Sequence, residues 1–91
     1  MGKRRSKLEI IMDMLDAIVK KSGEIKPTHL MYKANLSYNQ MQSYLERLIE
    51  NEFVERIKED ENKNYIKITK KGRKYSIKLK ETKEFQDALG L

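Results

Sequence analysis

Apolar residues along this chain recur first at helical spacing, then at strand spacing, then at helical spacing again. Between Lys7 and Lys21 they fall at Leu8, Ile11, Met12, Leu15, Ile18 and Val19, a single stripe that predicts a core-facing helix. Lys20 and Lys21 suit the negative end of that helix, and Gly23 is expected to close it in a left-handed conformation. Ile10 and Met14 lie off the stripe, as scattered surface residues or as a contact with a second subunit. Ile25 then allows a short extended segment. Pro27 excludes helical geometry at Lys26 and opens a short helix from about Thr28 to Ala34, with Leu30, Met31 and Ala34 inward and His29 and Lys33 outward.

Asn35 and Leu36 make a turn, after which Ser37 and Gln40 provide the S-x-x-Q spacing of a capping box. The helix they start, about Tyr38 to Asn51, has two faces. Tyr38, Met41, Leu45, Leu48 and Ile49 share one side, and Asn39, Gln42, Ser43 and Arg47 fall on or beside the other. From Phe53 the period changes to two. The runs through Glu55–Lys58 and Tyr65–Thr69 alternate as strands, and the polar stretch Glu59 to Asn64 between them predicts an antiparallel hairpin with a flexible, solvent-facing tip. Thr69 can cap a last helix from Lys70 to about Ala88, with Tyr75, Leu79, Thr82, Phe85, Gln86 and Leu89 near one side and Gly72 as a tolerated early glycine. The fold class expected is mainly α with a small β-hairpin, in winged helix-turn-helix order: helix, short strand, helix, helix, strand, strand, helix. Residues 1–6 form a basic arm, 7–69 the winged domain and 70–91 a C-terminal helix expected to dimerise.

Composition narrows the chemistry. The 91 residues suffice for one small domain. Without cysteine there is no disulfide or thiolate metal site, and the single histidine, His29, leaves little for a metal centre. No metal, cofactor or small-molecule ligand is implied. The glycines are too dispersed for a phosphate-cradling loop, and no base-orienting pair accompanies His29, so an enzyme is not expected. Glu9, Asp13 and Asp16 interrupt what would be the apolar part of a signal peptide, no membrane partner is indicated, and a cytoplasmic, nucleoid-associated protein is expected.

The net charge of +6 is unevenly placed: residues 1–35 carry eight basic and four acidic groups, 36–55 one and four, and 56–91 eleven and six. Basic ends of this kind favour a polyanion, because neutralising phosphates releases counterions.

The segments KLEII (Lys7–Ile11), MYKANLSYNQ (Met31–Gln40), YLERLIENEFV (Tyr44–Val54) and YIKITKKG (Tyr65–Gly72) together resemble an archaeal winged-helix DNA-binding family. That family includes the small basic dimeric DNA-binding proteins of Sulfolobus. The resemblance implies binding of double-stranded DNA through the helix starting near Ser37 and through the hairpin wing, with dimerisation through the last helix. In the chromatin-type members that helix is long and forms an antiparallel coiled coil; here only residues 70–91 follow Thr69.

On the residues themselves, Asn39 and Gln42 carry the donor and acceptor pair that reads adenine, and Arg47 suits guanine or phosphate. Ser37 and Tyr38, at the positive helix end, suit phosphate oxygens, and Ser43 lies beside them. Glu46 and Glu50 on the same face confine base contacts to the N-terminal half. Arg56, Lys58, Lys63, Asn64 and Lys67 could straddle a phosphate backbone, while Glu59, Asp60 and Glu61 argue against deep insertion of the wing tip; plain solvation competes with contact for each lysine. Lys3, Arg4 and Arg5 could add phosphate or minor-groove contacts. Lys70, Lys71, Arg73 and Lys74 open the last helix against its dipole. Tyr75, Leu79, Phe85 and Leu89 are the candidate dimer residues. Three readings stay open: a dimeric sequence-selective transcriptional regulator, an architectural DNA-binding protein with little sequence preference, and a winged-helix protein-interaction module.

Overall fold

Each of the four helices in the described part of the chain, residues 5–91 of a computed structural model, ends in the same backbone device. They are α1 (Lys7–Lys20), α2 (Pro27–Lys33), α3 (Tyr38–Glu50) and α4 (Lys70–Ala88), and they alternate with β1 (Glu24–Ile25), β2 (Val54–Asp60) and β3 (Lys63–Ile68). Past each helix one residue turns left-handed, at Ser22, Asn35, Glu52 and Gly90, with φ of 63°, 54°, 63° and 74°. The following amide then reaches back to a carbonyl of the last turn: Gly23 to Ile18, Leu36 to Met31, Phe53 to Leu48 and Leu91 to Gln86, at 2.9–3.0 Å. This Schellman closure satisfies carbonyls that a helix end otherwise leaves unpaired. Ser22, not Gly23, takes the closing position on α1, and Gly23 follows it with φ of 89°.

The starts of α3 and α4 match the sequence signals, and α1 adds a cap that was not read from sequence. Ser6 and Glu9 form a reciprocal capping box on α1, Ser37 and Gln40 another on α3, and Thr69 caps α4 through the Gly72 amide. The Ser6 amide and hydroxyl bonding to Glu9 hold its carboxyl below the usual carboxylate range.

Three antiparallel strands order β1-β3-β2. The pairs Val54–Ile68, Arg56–Ile66 and Lys58–Asn64 share the face turned to the helices, and Ile25 joins that face opposite Ile66. Glu55, Lys67 and Glu24, with Ile57 and Tyr65, share the outer face. The core is built from Met14, Leu15 and Ile18 of α1, Leu30 of α2, Met41, Leu45 and Leu48 of α3, and Val54, Ile66 and Ile68 of the sheet.

Two expectations fail here. Met14 is fully buried and Ile10 nearly so, whereas Leu8 is 45% exposed. The helix carries apolar residues on two sides, because α4 packs against the flank opposite the domain core; Leu8 and Met12 line a groove there with Leu79, Thr82 and Gln86. Periodicity finds both sides and ranks them by count, while burial follows the side that meets α2, α3 and β3. The wing is also shorter at its tip than the stretch from Glu59 to Asn64 expected. Its strands continue to Asp60 and from Lys63, leaving a two-residue turn at Glu61–Asn62, and a register shift between Lys58 and Asp60 accommodates Glu59. Asp60 Oδ1 accepts from the amides of Asn62 and Lys63 at 2.7 and 2.9 Å, an Asx-type closure that shortens the tip.

Asp16 ties α1 to α4. It accepts from Lys80 at 2.7 Å and from Lys20 at 2.9 Å, and these bonds, Lys80 first, hold its carboxyl below the ordinary value despite some burial. A carboxylate depressed on folding adds stability above its unfolded pKa and loses it as pH falls through the lower folded value. Asp16→Asn is therefore expected to cost about 1 kcal/mol at neutral pH. The difference from wild type should vanish well below pH 3.8, as urea unfolding at the two pH values would measure.

Candidate nucleic-acid interface

The outward face of α3 is set by helical spacing. Asn39 and Ser43 stand at its centre with Glu46 and Glu50 further along, all exposed. Ser37 is engaged in the cap: its hydroxyl accepts from the Gln40 amide at 3.2 Å, and its own amide donates to Gln40 Oε1 at 3.0 Å. Tyr38 does not join the apolar side expected of it and is 60% exposed. Its ring belongs to the α3 flank that faces β2, and that flank is wired together. The Gln42 amide nitrogen donates to the Tyr38 hydroxyl at 2.8 Å, and Arg56 Nη2 donates to Gln42 Oε1 at 3.3 Å.

This links the helix and the hairpin strand through side chains. The Tyr38–Gln42 half could be read from an i, i+4 spacing; the Arg56 half depends on strand register and helix placement, which no local pattern encodes. Lys58 and Asn64 continue the same sheet face beyond Arg56. The structure separates the other wing residues from them. Lys67 is paired across the sheet with Glu24 and Glu55 on the outer face. Lys63 shares that outer side, with Nζ 4.0 Å from Glu59, whose Oε1 accepts from the Tyr65 hydroxyl at 3.4 Å. Partial burial of Tyr65, and then the charges of Glu59 and Glu24, push its phenol above its ordinary value.

The other flank of α3 faces the N-terminal side of the molecule. Arg5 donates to Asp13 at 2.8 Å and to the carbonyl of Asn35 at 2.9 Å, so its guanidinium braces the turn between α2 and α3. A groove beside it is lined by Arg5, Lys7, Asn35, Gln40 and Tyr44. Lys3 and Arg4 lie outside the described residues. Arg47 is exposed; its carbonyl accepts from the Asn51 side chain at 2.8 Å, and it lies away from the Gln42–Arg56 flank.

On α4, the four basic residues expected at the start are exposed, and Lys71 has a local partner: its Nζ lies 5.3 Å from the centre of the Phe53 ring, which stacks at 4.9 Å on Tyr75. Leu79 packs on the domain's own core, contrary to its expected availability, while Phe85 and Leu89 remain 66% and 57% exposed. Among the described residues, no cluster of three His, Asp or Glu side chains could hold a metal ion, and no helix is long and apolar enough to cross a membrane.

A family model described as winged helix-turn-helix matches residues 4–87. The chain belongs to the winged helix-turn-helix family. An uncharacterized protein of Methanocaldococcus jannaschii is 33% identical over 85 residues, covering 93% of this chain and 80% of that protein. Among solved structures, the winged helix-turn-helix fold here is similar to Sso10a-2, a DNA-binding protein from Sulfolobus solfataricus, with a TM-score of 0.82 at 24% identity over 93% of this chain and 85% of that one. A MarR family transcriptional regulator from Silicibacter pomeroyi shares the fold with a TM-score of 0.72 at 17% identity, over 92% of this chain; the match covers 58% of that regulator.

Proposed function

We propose that the protein binds double-stranded DNA as a homodimeric, sequence-selective transcriptional regulator, with the N-terminal half of α3 in the major groove and the inner face of β2 along the adjoining backbone. The observation that carries this is the convergence of Asn39, Ser43, Tyr38, Arg56 and Lys58 on one side of the molecule, where a positive helix end meets the wing. Asn39 is the best placed reader of a base edge: it is exposed, central on the face, and carries both a donor and an acceptor. Glu46 and Glu50 keep the C-terminal half out of the groove. Exposed Phe85 and Leu89 support a dimer through residues 70–91, and paired recognition helices would then address half-sites roughly 34 Å apart or a multiple of it.

A second reading, an architectural protein with little sequence preference, draws on the engagement of Gln42, which leaves Asn39 as the one amide on the outward N-terminal half of α3 with no side-chain hydrogen bond among the described residues. Selection from random duplexes at physiological salt, with the mass of the bound complex recorded, separates the two. A regulator enriches a palindrome and binds as a dimer, and Asn39→Ala then loses roughly tenfold on the selected duplex and little on unrelated ones. Uniform affinity across duplexes with a steep salt dependence supports the architectural reading, and absence of duplex binding at low salt removes both.

A further inference from the structure

The interface contains a group whose hydrogen bonds are already directed, and their direction determines what it can recognise. Gln42 donates through Nε2 to the oxygen of Tyr38 and accepts through Oε1 from Arg56. With its oxygen accepting from Gln42, the Tyr38 hydroxyl has its own proton free to point outward. Arg56 uses one guanidinium N–H on Gln42 and keeps its others. Both ends of the relay therefore present donors, and the amide between them is already bonded once through its nitrogen and once through its oxygen.

Resting on the DNA-binding reading above, we infer that Gln42 is a positioning residue rather than a base reader. It holds the Tyr38 hydroxyl and the Arg56 guanidinium as a fixed pair of donors in the crevice between recognition helix and wing, matched to an acceptor-only partner, the phosphate oxygens of one DNA strand. An adenine edge needs a donor and an acceptor from the same amide; the bonds to Tyr38 and Arg56 take one N–H and one lone pair of Gln42 and fix the orientation of what remains. Glu46, one turn further on α3, lies beyond the relay, and none of the ion pairs among the described residues involves Arg56. Arg56 is thus steered by a neutral amide, which orients its charge without neutralising it. The inner-face pairing places Lys58 two residues further along β2, continuing the cationic track toward the wing tip.

The test uses a property that a neutral side chain should not control. Each phosphate contact adds about 0.9 to the slope of log affinity against log salt. Arg56→Met should lower that slope by about one contact. Gln42→Met, which removes no charge and keeps length and helix propensity, should lower it by about the same amount and weaken binding roughly fivefold on every duplex alike. In the Arg56→Met background, Gln42→Met should change affinity by less than about twofold, the non-additivity expected of groups acting as one unit. A wild-type slope in Gln42→Met, a loss confined to duplexes with one particular base, or additive effects in the double variant would each overturn the inference. The relay is also checked without DNA: in the free protein, Gln42→Met should shift the side-chain NMR signals of Arg56 and Tyr38 together. If those signals do not move, the relay fails even where duplex binding stands; if they move but no duplex binds, it is the DNA-binding reading that fails.

Discussion

Replacing Gly72 by alanine should destabilise the protein by about 3 kcal/mol, at the upper end of what overpacking a closed site costs. For a domain of this size that corresponds to a fall in Tm of roughly 12–24 °C. Helix propensity alone gives the opposite sign, since alanine exceeds glycine by about 1 kcal/mol within a helix. The reversal comes from the junction between β3 and α4. Thr69 Oγ1 donates toward the carbonyls of Glu52 and Phe53 at 2.7 and 3.1 Å and accepts from the Gly72 amide at 2.9 Å. The Thr69 amide also donates to the Phe53 carbonyl at 3.0 Å. The first turn of α4 is thereby laid directly on the end of α3. A Cβ on residue 72 would stand 2.1 Å from the Phe53 carbonyl oxygen and 2.8 Å from Ile68 Cγ1. Backbone on one side and a core side chain on the other leave nowhere to move without breaking the Thr69 bonds. Thermal unfolding of Gly72→Ala measures this directly, and an unchanged or raised Tm would mean that α4 is not seated this closely.

Met14→Ala should cost about 3 kcal/mol, within the range for removing a fully enclosed methionine. Leu8→Ala, six residues earlier on the same helix, should cost less than about 1 kcal/mol in the monomer, because a half-exposed side chain loses little burial and leaves no closed cavity. Met14 is 0% exposed. It lies in a cluster with Leu15, Ile18, Leu30, Met41 and Ile66, and truncation would leave a void there that rigid neighbours from several elements can fill only in part. Denaturant unfolding of the two variants at low protein concentration distinguishes the faces of α1. Equal costs, or a greater cost at Leu8, would mean that Met14 is not enclosed as the structure has it.

That pair of residues also shows how far the fold could be read from sequence. Two caps were legible because their chemistry is local: Ser37 with Gln40, and Thr69 with the Gly72 amide, each lie within three residues of their partner, whereas the equally local Ser6–Glu9 box came only from the structure. Element order followed from the change of period at Phe53. The inward face of α1 was legible only in part: Leu15 and Ile18 of the stripe are buried, but Ile10 and Met14 beside it are buried too and Leu8 is not, because the placement of α2, α3 and α4 decides where the stripe's edge falls. Helix ends were legible in position but not in device. Ser22, Asn35 and Glu52 adopt a conformation that glycine adopts at lower cost, and the reach of the following amide back to the last turn holds them there. Gly72 was read by propensity, whereas its role depends on a carbonyl nineteen positions earlier in the chain.

At the candidate interface the same division holds. Asn39 and Ser43 follow from helical spacing and emerge where the pattern puts them. Assigning the wing residues to faces required the pairing of β2 with β3, which sets Arg56, Lys58 and Asn64 beside α3 and turns Lys67 to the outer face between two glutamates. Arg5 looked like part of a basic arm, yet it braces the α2–α3 turn through Asn35, a contact across thirty residues that only the tertiary structure creates.

Titration of the isotopically labelled protein with a duplex at low salt, followed by amide and side-chain NMR shifts, tests the DNA-binding reading most directly. The largest changes should map to Tyr38, Asn39, Gln42, Ser43, Arg56 and Lys58, with the outer sheet face at Tyr65 and Lys67 unaffected. Changes centred on that outer face, or none at all under conditions where phosphate contacts are strongest, would contradict DNA binding through α3 and the inner face of the wing.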